Sequence, residues 1–286
     1  MKELSILIPT YNDECYTLVS NLQQQAASLD ISYEIIVADD GSSDATVISR
    51  NRPINQLPCC KFIERKQNSG RASIRNFLAQ QAQYAWLLFI DSDMTMCRED
   101  YVKQYVMADA QVACGGVTIG RVTKDNLRAI YEQSKEQEHT FEKRQQSPYQ
   151  DFHTANFLIQ RDIMLQYPFD ERFRYYGYED VLLGKLLKEQ HIEIKHLDNP
   201  LSFEVFETNE DFISKTEEGL RTLHKFREEL KDYSRLLDFV NQHQVLATMI
   251  HWWHRLAAKW ERRQLSGNTP SLTLFNLYRL GYYLQL

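Results

Sequence analysis

The run Leu87-Leu88-Phe89-Ile90 stops abruptly at Asp91-Ser92-Asp93, and no other stretch of the 286 residues constrains the fold as tightly. Four apolar residues in succession, preceded by Trp86, suit a strand buried on both faces rather than one with a wet side. Such a strand needs helices above and below it, which implies an α/β architecture with a mainly parallel sheet. The two acids then stand at the carboxyl end of the strand, the edge where open α/β sheets bind ligands. Carboxylates this close repel unless a cation lies between them. A hard divalent ion, Mg²⁺ or Mn²⁺, shared between these carboxylates and the oxygens of a diphosphate fits the arrangement. The plainer alternative is a turn capped by Asp91 with Asp93 in solvent.

The rest of the chain keeps the strand–helix alternation. Leu4–Ile8 reads as a first strand ended by Pro9. Asn12 or Asp13 is the expected N-cap of a helix reaching about Leu29, with Leu18, Leu22 and Ala26 at helical spacing. Tyr33–Ala38 is a second strand, closed by the turn cluster Asp39–Asp44, and Lys61–Glu64 a third. A helix opens at Asn68–Arg71 and runs through Ala82. Farther on, Val112–Thr118 reads as one strand containing two glycines, residues 124–150 as polar and mostly helical, and Asn156–Ile159 as a strand. Val181–Gln190 is helical, Ile192–Lys195 alternates like a late strand, and from Asn209 the pattern is helical to the end, broken near Gly267–Pro270.

A net charge of −6 argues against wholesale nucleic-acid binding. Of five cysteines, Cys59 and Cys60 are adjacent and Cys15, Cys97 and Cys114 isolated, an odd set without zinc spacing that suits buried thiols in a reducing cytoplasm. The start of the chain lacks a basic segment followed by an apolar core, and no apolar run approaches the ~18 residues of a membrane span, so neither a leader nor a span is expected.

Two familiar nucleotide-binding patterns are excluded. The first strand is not followed by GxGxxG, and GxxxxGK[ST] is absent. What the strand ends carry instead is Thr10, Asp39, Asn68 and Asp91 along one carboxyl edge. Glu179-Asp180 lies far downstream, at the start of a helix and behind the aromatic loop Phe173–Tyr178. Acids there could simply cap the helix through its N–H groups and dipole. An aromatic loop suited to stacking on a sugar favours the other role, a general base beside an acceptor hydroxyl.

The ordered set Ile8-Pro9-Thr10-Tyr11-Asn12, Asp39–Asp44, Asn68-Ser69-Gly70-Arg71, Asp91-Ser92-Asp93 and Gly177-Tyr178-Glu179-Asp180 resembles glycosyltransferase family 2 over roughly residues 1–207. The resemblance implies the GT-A fold: a Rossmann-like, mainly parallel sheet, with a nucleotide-sugar half at about 1–110, an acceptor half at 111–207 and a C-terminal helical region at 208–286. It implies an inverting transferase that moves a sugar from a nucleoside-diphosphate donor, by family analogy a UDP-sugar, to a hydroxyl acceptor in polysaccharide or glycoconjugate synthesis. By resemblance Thr10 and Asp39 hold the nucleoside, flanked by Pro9 and Tyr11 and with Asp40 assisting. Asn68, Gly70 and Arg75 lie near the ribose and phosphates, Asp91 and Ser92 contact ribose or metal, and Asp93 ligates Mn²⁺ or Mg²⁺. Asp180 is the expected base and Glu179 the less favoured choice.

One departure stands out. Where many relatives carry a histidine after an Asn-Pro-like turn, this chain has Asp198-Asn199-Pro200 followed by Leu201–Glu204, leaving His191 and His196 as substitutes in the metal shell, or water. That departure is the sole support for the alternative, a non-catalytic nucleotide-sugar-binding or scaffold subunit. A nucleotidyltransferase would need a Gly/Arg-rich triphosphate loop after the first strand, which Pro9–Asp13 does not provide.

The tail has its own pattern. Apolar residues at 245, 246, 249, 250, 252, 253, 256, 257 and 260 form a helical stripe, with His251, His254, Arg255, Lys259, Arg262 and Arg263 on the other face. Residues 245–286 hold five Lys or Arg against one acid, Glu261. Three occupants suit the stripe: the catalytic domain itself, a second copy of the chain, or the cytoplasmic face of a membrane, the last fitting a lipid-linked acceptor.

Overall fold

The computed structural model describes residues 1–286. The chain begins β1 (Glu3–Thr10), α1 (Tyr16–Ala27), β2 (Ser32–Asp39), α2 (Ala45–Asn51), β3 (Cys60–Glu64), α3 (Arg71–Gln81) and β4 (Trp86–Ile90). It continues through β5 (Met94–Met96), α4 (Tyr101–Val106), β6 (Val112–Cys114), β7 (Val117–Ile119), α5 (Leu127–Glu136), α6 (Phe141–Gln146), β8 (Asn156–Gln160) and α7 (Arg161–Gln166). After α8 (Glu179–Glu189), β9 (Ile194–His196) and β10 (Leu201–Phe203) come the helices α9 (Asn209–Lys225), α10 (Arg235–Gln242), α11 (Gln244–Leu265) and α12 (Leu272–Tyr283).

Seven strands form the main sheet in the order β3-β2-β1-β4-β8-β6-β9. All pair in parallel except β8, which runs antiparallel to both β4 and β6. The apolar run of β4 sits mid-sheet, Leu87–Phe89 against Ser5–Leu7 of β1 and against Phe157–Ile159 of β8, and residues 87–90 are fully buried. One core layer lies under α1 and α4, with Leu4, Ile6, Leu22, Leu88 and Tyr105. The other lies under α3 and α8, with Leu7, Leu78, Phe89, Phe157 and Leu187. Successive residues along each strand feed the two layers alternately, Leu4, Ile6 and Ile8 to one and Leu7 to the other, as the pleat requires.

Three expectations shift. The helix after β1 is capped at Cys15 without a side-chain bond; Asn12 instead accepts from the N–H groups of Ser43 and Asp44, tying the β1 loop to the β2 loop. Val112–Thr118 is two strands in different sheets, because Gly116 (φ +83°) turns the chain and lets the Arg144 guanidinium pack where a Cβ would stand. β7 joins β10 and β5 in a small second sheet. The late strand starts two residues beyond Ile192, whose N–H still bonds Leu187 at the end of α8.

The C-terminal helices pack back on α5 and on the segment that leads into α8. Phe212, Ile213, Leu265, Phe275 and Tyr278 close over Leu127, and Leu220, Leu223 and Phe226 over Phe173. No helix is long and apolar enough to cross a membrane.

Candidate active site

β1 lies between β2 and β4, so the strand order reverses there and the carboxyl ends splay into a crevice. A cavity of about 970 Å³ opens at that point, walled by Pro9–Tyr11 from β1, Asn68, Gly70 and Arg71 from the start of α3, and Asp91–Asp93 beyond β4. A second, of about 460 Å³, shares Arg71, Asp91, Asp93, Arg128 and Tyr176 with the first and continues past Glu179 and Asp180 to His153. The two form one trough with the Asp91–Asp93 pair in the middle.

The acids after β2 serve the loops. Asp40 is buried, pairs with Arg65 at 2.8 Å and accepts from the Ser69 hydroxyl (2.8 Å) and the N–H groups of Ser69 (3.0 Å) and Gly70 (2.9 Å). Asp40 thereby fastens the Asn68–Arg71 loop to the sheet while lining the first cavity beside Pro9–Tyr11. Gly70 (φ +93°) meets the Arg174 carbonyl where a Cβ would stand, so the loop also carries the aromatic segment before α8. Asp39 does not line the trough. It accepts from the N–H and the hydroxyl of Ser42, so it reaches a nucleoside only if the hydroxyl bond is released.

Arg75 is buried, its guanidinium 2.6 Å from Asp91 and 3.6 Å from Glu179. It braces the two acids from the wall of the first cavity. One helical turn earlier Arg71 stands over the Tyr176 ring (4.9 Å) with no carboxylate within ion-pair distance, among Asp91, Asp93 and Glu179. Its positive charge is open to the trough. Arg128 enters from α5, paired with Glu207 at 2.6 Å and lying over Phe203.

Asp93 bears the electrostatic cost of the site. Burial and the neighbouring Asp91 push its carboxyl up to about 6, against the pull of Arg71 and Arg128. A cation between the two carboxylates would relieve that repulsion. The donors present are two carboxylates, and no cluster of three His, Cys, Asp or Glu surrounds the point. The residues therefore fit an ion whose remaining ligands come from a diphosphate and water. His196 is not among them, which corrects its place in the metal shell. Its Nδ1 meets Arg144 at 2.8 Å, its Nε2 meets the Pro148 carbonyl at 3.0 Å, and burial pushes it down to about 4, a neutral core imidazole. His191 sits exposed on the turn after α8, away from the trough.

Glu179 and Asp180 begin α8 just after Gly177 (φ +93°) and Tyr178 (φ +71°), two successive left-handed residues. For tyrosine that conformation is strained, and it turns the start of the helix into the trough. Their environments separate them. Burial and Asp180 raise Glu179, which leans on Arg75, whereas Asp180 is lowered: burial opposes its charge, but His153 at 3.6 Å, the Val181 N–H and Arg75 together outweigh burial. Asp180 is the more acidic of the two. His153 is in turn raised, its burial outweighed by Asp180, with Asp151 and Glu132 adding to the pull.

Sequence reasoning missed His153, Arg71 and Asp13. Asp13 lines the trough, and burial raises its carboxyl against the pull of the neighbouring Ser92 hydroxyl. Its carboxyl was readable only as a helix cap. Arg71 stands inside the Asn68–Arg71 motif, four residues before Arg75.

A sequence model of glycosyl transferase family 2 matches residues 5–167. An uncharacterized glycosyltransferase of Haemophilus influenzae is 33% identical over 107 residues, 36% of this chain and 41% of that one. The poly(ribitol-phosphate) beta-N-acetylglucosaminyltransferase TarS of Staphylococcus aureus is 32% identical over 114 residues, 38% of this chain and 18% of its own. The matched stretches thus span less than half of these curated relatives. Among solved structures, S. aureus TarS 1-349 superposes with a TM-score of 0.52 at 17% identity, covering 99% of this chain and 89% of that one. The mannosyltransferase PcManGT of Pyrobaculum calidifontis, in complex with GDP-Man and Mn²⁺, gives 0.55 at 13% identity, covering 99% and 84%. At these identities the likeness shows the fold.

Proposed function

The chain belongs to glycosyltransferase family 2 and has the GT-A fold, and from that membership we propose an inverting transferase that moves a sugar from a nucleoside-diphosphate donor to a hydroxyl of a carbohydrate or lipid-linked acceptor. The observation that carries the proposal is the trough itself: Asp91, Asp93 and Asp180, whose carboxyl is held low, face one continuous space at the strand-order reversal. A UDP-sugar is the preferred donor, because TarS has also been solved with UDP at a TM-score of 0.50. The nucleoside lies against Pro9–Tyr11, with Asp39 at the end of β2. The diphosphate lies between Arg71 and the Asp91–Asp93 pair.

A divalent ion held by Asp93 and Asp91 would neutralise the charge that grows on the departing diphosphate. PcManGT was solved with Mn²⁺, which supports the same class of ion here. On the far side of the trough Asp180 takes the proton from the acceptor hydroxyl as its oxygen attacks the anomeric carbon, opposite the leaving group. Glu179 stays locked to Arg75 and keeps the start of α8 in register. All five cysteines are free thiols, which supports work in a reducing cytoplasm.

Calorimetric titration with UDP and Mn²⁺ tests the donor half. The wild-type protein should bind UDP more tightly with Mn²⁺, and Asp93→Asn should lose the metal-dependent gain while remaining folded. Equal UDP affinity with and without the ion would overturn the metal assignment.

A further inference from the structure

α11 is built inside out. Over its 22 residues the buried positions are Ala247, His254, Glu261 and Leu265, two of them ionisable. His254 Nδ1 lies 2.5 Å from Glu261, and Trp253 Nε1 donates to the same carboxylate at 2.7 Å, so the polar pair is satisfied inside the protein. α12 comes close enough to reach it only because Gly281 has no side chain: a Cβ there would stand 2.5 Å from His254.

The outward positions are apolar. Val245, Met249, Trp252, Trp253, Leu256 and Trp260 are between 49% and 87% exposed. At 3.6 residues per turn they fall within one sector of about 100° that runs ~23 Å along the helix. Single exposed apolar residues are ordinary, but a continuous aromatic and aliphatic ridge marks a surface that something covers.

Charge identifies the occupant. Arg255, Lys259 and Arg263 are exposed along one edge and at the end of the ridge, and none is paired with a carboxylate. The only acid of residues 245–286 is Glu261, which is fully buried. A chain of net charge −6 thus presents a face of tryptophans and cations with no exposed acid. A second copy seated symmetrically on this ridge would set like charges against like. An anionic lipid surface offers the complement, with apolar side chains in the headgroup boundary and cations at the phosphates.

We infer that the outer face of α11 docks on an anionic lipid bilayer. α12 packs between α11 and α9 and sends Phe275 and Arg279 into the acceptor end of the trough. Docking would therefore hold that end about one helix diameter, ~10 Å, from the interface. The docking stands without the transferase assignment. Its consequence, that the acceptor is presented from the membrane, rests on that assignment.

Vesicle flotation of the full-length protein tests the inference, using phosphatidylcholine alone and phosphatidylcholine mixed with phosphatidylglycerol, with UDP and Mn²⁺ titration of each protein as a parallel arm. Wild type should float with the anionic vesicles only, and high salt should release it. Arg255→Gln with Lys259→Gln should weaken binding about 30-fold, from ~1 kcal/mol per cation near an anionic surface. Trp252→Ser with Leu256→Ser should abolish it, and both variants should keep wild-type UDP affinity. Wild type left in the soluble fraction at low salt overturns docking, as does binding that both variants retain. A dimer that Leu256→Ser dissociates also overturns it and gives the face to a second copy. Flotation without any UDP binding would leave docking standing and remove the UDP-sugar donor instead.

Discussion

Two adjacent acids at the start of α8 acquire different chemistry because different partners reach them. Arg75 lies 3.6 Å from Glu179, and His153 lies 3.6 Å from Asp180. Asp180→Asn should therefore leave UDP and Mn²⁺ binding unchanged and slow transfer by ~10²–10⁴-fold, the usual contribution of a general base. Glu179→Gln should act chiefly through stability, since it leaves Arg75 with one anionic partner. Hydrolysis of a UDP-sugar panel separates the two, and an inactive Glu179→Gln beside an active Asp180→Asn would exchange the roles. Asp93 lends itself to a test without ligand. Its folded value of about 6 lies above the ordinary 3.8, so the protonated form favours the folded state. The resulting stability is present below about pH 4 and is lost as pH rises through about 6. In metal-free protein Asp93→Asn should remove that slope and, at neutral pH, raise stability by on the order of 1–2 kcal/mol after allowance for solvent screening. Urea denaturation across that pH range in a chelating buffer measures it, and a variant less stable than wild type at pH 7 would show that Asp93 carries no such strain.

Strand ends were readable from sequence because everything that defines them is local. An apolar run, a turn cluster and an acid suffice to place Thr10, Asp39, Asn68 and Asp91 on one edge; the β1–β2 and β1–β4 pairings put Thr10, Asp39 and Asp91 there, and the loop after β3 brings Asn68 to the same cavity. Contacts made across the chain were not readable. Arg144 reaches His196 from 52 residues away and removes that histidine from the metal shell, and Asn12 gives up the cap to hold the next loop. Periodicity located the stripe of α11 but could not say which way it faced, since a helix presents the same repeat whether its apolar side is buried or bare. The answer came from Gly281, which admits His254 and so draws the polar side inward. In a loosely packed helix Gly→Ala stabilises by ~1 kcal/mol through propensity. Here Gly281→Ala should instead destabilise, by ~1–3 kcal/mol, because the added methyl lands on His254. Guanidinium denaturation monitored by tryptophan fluorescence reads the sign directly.

At the scale of the molecule, the expected boundary between residues 207 and 208 divides the chain without dividing the site. Glu207, Lys215 and Glu218 wall the donor end of the trough, and Phe212, Gly219, Phe275 and Arg279 wall the acceptor end. Gly219 lies against Tyr176, so α9 supports the aromatic loop that leads into α8. Arg128 of α5 spans the same seam, paired with Glu207 and lying over Phe203 and Phe212. A helical region that supplies the walls of the cavity should not melt apart from the sheet that supplies its floor. Heating should thus give one transition rather than two. UDP and Mn²⁺ together, at about 100 times the dissociation constant, should raise the whole transition by an amount equivalent to ~2.7 kcal/mol, or roughly 5 °C for a chain of this size. Differential scanning calorimetry with intrinsic fluorescence distinguishes the cases, because α11 holds three of the four tryptophans and Trp86 lies in the sheet. Two transitions, with the ligand moving only the one that lacks the fluorescence change of α11, would show that the C-terminal helices fold as a separate unit and lie against the site without stabilising it.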